Sequence, residues 1–207
     1  MNNIDCENNK ITVAGTAVSS PEFSHEVYEE KFYKFLLEVP RLSENTDIIP
    51  VTLSEKFLSI AEIEQGKRLL INGQFRSYNN FSDEGNRLLL TVFVKDIEEI
   101  DDVAEYSAQS NIFLNGYICK PPVYRTTPFG REIADILLAV NRSYNKSDYI
   151  PCIAWGRNAK YADTLNVGDN IEIWGRVQSR AYQKKIGEDK VEDKIAYEVS
   201  VSKLELK

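Results

Sequence analysis

Four short segments recur in the same order about 100 residues apart. Ile11-Thr12-Val13-Ala14-Gly15 aligns with Ile112-Phe113-Leu114-Asn115-Gly116 at an offset of 101, and Asp47-Ile48-Ile49-Pro50 aligns with Asp148-Tyr149-Ile150-Pro151 at the same offset. Leu70-Ile71-Asn72-Gly73 aligns with Glu172-Ile173-Trp174-Gly175 at 102, and Val92-Phe93-Val94 with Val199-Ser200-Val201 at 107. The period is far longer than the roughly 20–50 residues of solenoid units, so it marks a duplicated domain. The 207 residues divide into a first copy at 1–100, a linker at 101–110 and a second copy at 111–207. The seam from Asp101 to Asn111 is polar and lacks apolar periodicity.

Each copy reads as three strands, a short helix and two strands. In the second copy, Ile112 to Ile118 alternates like a half-buried strand, and Pro121-Pro122 and Pro128-Phe129-Gly130 punctuate the loop that follows. Glu132 to Val140 and Tyr149 to Trp155 are the next strands. Asn158 to Leu165 has Ala159, Ala162 and Leu165 at helical spacing. Ile171 to Gln178 and Ile195 to Leu204 complete the set, around a charged loop from Gln183 to Lys194. The first copy predicts strands near 11–18, 31–39, 48–53, 69–77 and 88–97, with a helix from Glu55 to Ile63. The expected fold is all-β: two tandem five-stranded Greek-key OB-fold barrels, each with one short helix between strands 3 and 4.

Several chemistries are disfavoured by content. No run approaches the ~18 apolar residues of a membrane helix, and the polar segment from Met1 to Lys10 has no signal-peptide apolar region. Cys6, Cys119 and Cys152 are odd in number and widely spaced, which argues against a disulfide framework. Cys119 and Cys152 read as small apolar strand residues. His25 is the sole histidine and reads as a loop residue, so multi-histidine zinc sites and histidine acid–base chemistry are poor fits. No phosphate-cradling glycine loop or nucleophile elbow is present, and Glu98, Glu99, Asp101 and Asp102 read as a solvated linker. The expectation is a protein without metal, cofactor or enzymatic activity.

The net charge of −7 argues against a polyanionic partner until it is divided. Residues 1–105 hold 10 Lys/Arg and 20 Asp/Glu, whereas 106–207 hold 15 Lys/Arg and 12 Asp/Glu. The acidity belongs to the first copy, and phosphate binding responds to charge within about 8–10 Å. Strand alternation in the second copy places Ile150, Cys152 and Ala154 inward and Tyr149, Pro151, Ile153 and Trp155 outward. Tyr144 lies beside Arg142 and Lys146. Tyr182 lies between Arg176 and Arg180 on one side and Lys184 and Lys185 in the next loop. Aromatic and basic side chains interleaved on an OB face suit base stacking with phosphate neutralisation. The stacking set is Tyr144, Tyr149, Trp155 and Tyr182. The phosphate set is Arg125, Arg142, Arg157, Arg176, Arg180, Lys184 and Lys185. At the equivalent positions the first copy has Ile48, Thr52, Ser54, Gln74 and Asn80, with Arg76, Tyr78 and Phe81 nearby. Its binding face reads as degenerate. Trp174 reads as interface or surface packing, and burial of Tyr149 and Trp155 in a subunit interface is the competing reading of those two rings.

The second copy resembles the bacterial single-stranded DNA-binding protein family over most of 111–207. The likeness rests on Asn111 to Gly116, on Tyr149-Ile150-Pro151-Cys152-Ile153-Ala154-Trp155-Gly156-Arg157, and on Val167-Gly168-Asp169-Asn170-Ile171-Glu172-Ile173-Trp174-Gly175-Arg176-Val177. The family's base-stacking positions fall on Tyr144, Tyr149, Trp155 and Tyr182, all aromatic here. The resemblance implies cytoplasmic, largely sequence-independent binding of single-stranded DNA in replication, recombination or repair. It also implies a homodimer presenting four barrels. Family members usually end in a flexible tail with an acidic, Phe-terminated tip. This sequence ends at Lys203-Leu204-Glu205-Leu206-Lys207, which points away from a general replication hub. The alternative is a tandem-OB adaptor whose acidic first barrel docks a basic protein partner, with vestigial nucleic-acid binding.

Overall fold

Inward-facing Ile, Val and Leu on alternate strand positions draw the sheet into two closed circuits. The computed structural model describes residues 7–43, 45–58, 63–82, 85–106, 111–185 and 191–207, with backbone alone for 79–82, 85–87, 184 and 185. The first copy contains β1 (Asn9–Ala17), β2 (Glu22–Val27), β3 (Glu30–Pro40), β4 (Thr46–Ser54), β5 (Arg68–Ser82) and β6 (Gly85–Glu99). The second contains β7 (Asn111–Ile118), β8 (Val123–Thr126), β9 (Glu132–Arg142), β10 (Lys146–Trp155), helix α1 (Arg157–Ala162), β11 (Asn170–Lys185) and β12 (Val191–Leu206).

Barrel 1 closes in the order β1-β3-β4-β6-β5, with β1 bonded to both β3 and β5. Barrel 2 closes as β7-β9-β10-β12-β11 in the same way. Each circuit has one parallel junction, Val51 opposite Val92 in the first and Cys152 opposite Val199 in the second. All other pairings are antiparallel, as a Greek key requires. Phe75, Leu37, Ile49 and Leu53 fill one barrel, and Leu114, Leu138, Ile150 and Ile171 the other.

The matched glycines of the repeat have a packing reason. A side chain on Gly73 would stand 2.2 Å from the Phe93 carbonyl oxygen, and one on Gly175 2.2 Å from that of Ser200. Gly15 and Gly116 meet the Glu38 and Ala139 carbonyls in the same manner. Gly175→Ala is therefore expected to cost about 1–3 kcal/mol by overpacking, read as a lower urea midpoint. An unchanged midpoint would show that the strands separate there without strain.

Several details differ from the sequence expectation. Strands β2 and β8 are additions, hairpinned onto β3 and β9. Both are largely exposed, so neither carries the burial alternation that marks a strand. His25 accordingly lies on β2 rather than in a loop. Cys119 falls just beyond β7, while Cys152 is on β10. Burial raises the pKa of both thiols. The charged stretch from Gln183 to Lys194 reads as a loop in the sequence. Its ends instead extend the β11–β12 ribbon, where cross-strand hydrogen bonds form without burial, and residues 186–190 lie outside the described residues. Helix α1 ends at Ala162, earlier than the spacing suggested. In the first copy a 3-10 turn at Glu55–Phe57 leads into a helical Leu58, and residues 59–62 of the expected helix lie outside the described residues. The seam is not wholly detached: Val103 and Tyr106 pack against Ala14, Leu70 and Ile100.

The two barrels join about an internal pseudo-two-fold axis. β1 and β7 pair antiparallel with Ile11 opposite Ile112, two positions made equivalent by the repeat. Such self-complementary contact is how two-fold interfaces are built. The axis also relates two carboxylates. Asp47 of barrel 1 accepts hydrogen bonds from the Ser179 backbone N–H (2.6 Å) and hydroxyl (3.0 Å) of barrel 2. Asp148 of barrel 2 accepts one from the Ser77 backbone N–H (2.8 Å) of barrel 1. Arg41 and Arg142 repeat the same relation, each pairing with the aspartate of its own barrel.

Candidate nucleic-acid interface

The aromatic face begins at the β9–β10 hairpin. Tyr144 and Asn145 have φ of 62° and 54°, and the Tyr144 ring is 94% exposed. A bulky residue held left-handed and bare to water is costly, a kind of position that concentrates at functional sites. Along β10, Tyr149 and Trp155 point outward and are 42% and 37% exposed. Six residues of strand separate them by roughly 20 Å, which makes them separate stacking sites. Pro151 is half-buried and Ile153 is buried, so the outer face is not uniformly open. At Ile153 the strand is flanked on both sides, by β9 and β12. Tyr182 lies on β11 opposite Lys194, with the Arg180 guanidinium 6.0 Å from its ring centroid.

The cations are less free than their sequence positions suggest. Arg125 pairs with Asp135 (2.9 Å), Arg142 with Asp148 (3.5 Å), Arg176 with Asp47 (3.2 Å) and Arg180 with Glu198 (3.3 Å). A guanidinium has five donors, so phosphate contact there means sharing or displacing a carboxylate. Arg157, the first residue of α1, is exposed and pairs with no carboxylate among the described residues. Lys184 and Lys185 end strand β11 instead of lying in a loop, and their side chains lie outside the described residues. Arg176 also differs in kind: its contact with Asp47 crosses between the barrels.

Two exposed residues on the β8–β9 tip are absent from the sequence-derived site. The β8–β9 tip carries Phe129, 92% exposed, and Arg131, also exposed. Gly156, next to Trp155, donates its backbone N–H to the Glu132 carbonyl, which ties that tip to the end of β10. The signal was Pro128-Phe129-Gly130, an aromatic set between turn formers and so forced to the surface. Trp174 lies apart from this row, against Phe113 (5.2 Å between centroids) with the Lys203 ammonium 4.4 Å from its ring.

The buried aspartates differ electrostatically. Burial pushes the Asp47 carboxyl up, but the Arg41 and Ser179 hydrogen bonds and the Arg41 charge outweigh it and hold it below its ordinary value. Burial raises Asp148, and the Ser77 hydrogen bonds and the Arg142 and Arg76 charges do not offset it. The Asp148 Oδ2 atom has no hydrogen-bond partner among the described residues.

Fold and face together define a tandem OB-fold protein whose second barrel presents exposed aromatic rings among arginines. Residues 109–206 match the single-strand binding protein family. The chain is 35% identical over 85 residues to single-stranded DNA-binding protein 1 of Staphylococcus aureus, covering 38% of this chain and 51% of that protein. It is 32% identical over 85 residues to single-stranded DNA-binding protein B of Bacillus subtilis, covering 38% of this chain and 75% of that one. The chain spans about half the length of the first of these relatives. The fold also resembles the single-stranded DNA binding protein from Thermus aquaticus, with a TM-score of 0.74 at 17% identity over 96% of this chain and 92% of that one. The chain belongs to the single-strand binding protein family.

Proposed function

We propose that the protein binds single-stranded DNA with little sequence preference, as a non-enzymatic cytoplasmic factor in replication, recombination or repair. The observation that carries this reading is the exposure of Tyr144, Tyr149 and Trp155 along one hairpin face of barrel 2. Every base has a face that stacks on an aromatic ring, and only unpaired strands offer it freely. Tyr182 extends the stacking set, and the arginines, led by Arg157, supply phosphate contacts. Bare aromatic rings also disfavour the adaptor alternative, because a vestigial face gains nothing by keeping them in water. A homodimer presenting four barrels completes the proposal, with residues 1–100 as an acidic barrel of degenerate binding face and 111–207 as the binding barrel, joined through 101–110.

Titration of oligo-dT against tryptophan fluorescence over a salt series tests it. Strong quenching is expected, with log affinity falling linearly in log salt by about 0.7 per phosphate neutralised. Unchanged fluorescence with no binding at low salt would remove the proposal. The carboxylate partners of Arg125, Arg142, Arg176 and Arg180 set a further expectation. Arg157→Ala should reduce that slope by about 0.7, the effect of losing one phosphate contact. A slope unchanged by this substitution would show that Arg157 does not reach the strand.

A further inference from the structure

Barrel 1 carries aromatic rings on the strands to either side of β4 that barrel 2 lacks. Ser54 and Thr52 stand at the positions of Trp155 and Ile153 under the repeat. Their cross-strand partners are Phe32 on β3 and Phe93 on β6. In barrel 2 the corresponding partners are Ile133 and Ser200, neither aromatic. Barrel 1 thus has a ring on the strand to either side of β4 where barrel 2 has Ile133 and Ser200.

These two rings, both half-buried, form a connected surface. Phe32 and Phe93 lie 5.8 Å apart between centroids. His25, cross-strand from Phe32, stacks on it at 5.0 Å with planes 12° apart. The Arg76 guanidinium lies over Phe93 at 3.7 Å from its centroid. Arg76 donates to Gln74 and has no ion pair among the described residues, unlike four of the arginines on barrel 2. One carboxylate on the same face of β3, Glu30, is already engaged by Ser54 and Lys56.

This surface continues into the barrel 2 face across the pseudo-two-fold seam. Tyr149 donates its backbone N–H to Ser77 Oγ at 2.8 Å. The next residue, Tyr78, has the Arg142 guanidinium 5.9 Å from its ring centroid. Aromatic and cationic groups therefore follow one another from Trp155 and Tyr149 through Arg142 and Tyr78 to Arg76, Phe93, Phe32 and His25.

We propose that Phe32 and Phe93, with His25 and Arg76, form a second base-stacking surface on barrel 1 that takes the same single strand onward from barrel 2. It rests on the reading of barrel 2 as a single-strand binder. The occupant is a single-stranded nucleic acid and not a protein, because the surface offers flat rings beside a guanidinium that has no ion pair among the described residues, and it adjoins the barrel 2 row.

The test is an oligo-dT length series with the full chain and its Phe32→Ala, Phe93→Ala and Phe93→Leu variants. One OB barrel occupies about 4–16 nucleotides, so the series runs from one barrel's span to two. Each variant should bind long oligomers about 5- to 150-fold more weakly, equivalent to the loss of one stacked base. Binding of the shortest oligomers should be unchanged. Phe93→Leu retains apolar packing but lacks a ring, and its unfolding midpoint separates lost stacking from lost fold. Irradiation with 5-iodouracil-substituted oligomers should cross-link peptides containing Phe32 or Phe93. Unaltered long-oligomer affinity in all three variants, with no such cross-link and with Trp155→Ala still impaired, would overturn this proposal alone and leave the surface to a protein partner. Failure of the unmodified chain to bind any oligomer would overturn the reading of barrel 2 as well.

Discussion

Trp155→Ala and Tyr149→Ala are each expected to weaken oligo-dT binding by about 1–3 kcal/mol. Both rings are more than a third exposed on β10 and roughly 20 Å apart, so they meet different bases. Sites this far apart add, so the double variant should lose close to the sum of the two. Measured by fluorescence anisotropy with a labelled oligonucleotide, the loss should come without a change in molecular mass. Dissociation of the oligomer with unchanged affinity per subunit would assign the rings to a subunit interface.

The second large effect concerns the two aspartates at the barrel seam. Asp47→Asn should destabilise the protein by about 3 kcal/mol, the lower end for breaking a buried pair, since Arg41 and Arg176 can still reach water. Asp148→Asn should stabilise the protein at neutral pH. It removes a buried charge that has one unpartnered oxygen but keeps the acceptor for the Ser77 N–H. The pH dependence has opposite signs at the two sites. Asp47 has a depressed folded pKa, so its contribution is present above the ordinary carboxylate value of 3.8 and is lost as pH falls through the folded value. Asp148 has a raised folded pKa, so its contribution is full below 3.8 and is lost as pH rises through the folded value. The advantage of Asp148→Asn should therefore shrink as the solution is acidified. Urea unfolding of both variants from neutral to acid pH checks this. Equal destabilisation by the two substitutions at neutral pH would contradict the asymmetry.

The barrels were legible in the sequence because their inner positions alternate and recur, as Ile49, Val51 and Leu53 do in Ile150, Cys152 and Ala154. Strands β2 and β8 were not, since a strand exposed on both faces has no apolar period to detect. The row of Tyr144, Tyr149 and Trp155 could be read because a single hairpin carries it. The partners of the arginines could not: Asp47 lies 129 residues from Arg176 and meets it only because β1 pairs with β7. Phe32 and Phe93 were hidden for a related reason. Comparing one strand with its repeat shows rings lost at Ile48 and Ser54. Rings gained on the neighbouring strands emerge only once the register between strands is known.

Stacking on unpaired bases is most directly tested by competition. A labelled oligo-dT bound at low salt is challenged with unlabelled oligo-dT, oligo-dA and a duplex of equal length. Both single strands should displace the label at similar concentrations, and the duplex should require a far higher one, because its bases are already stacked. Equal displacement by the duplex would show binding through phosphates alone and contradict a stacking role for Tyr144, Tyr149 and Trp155.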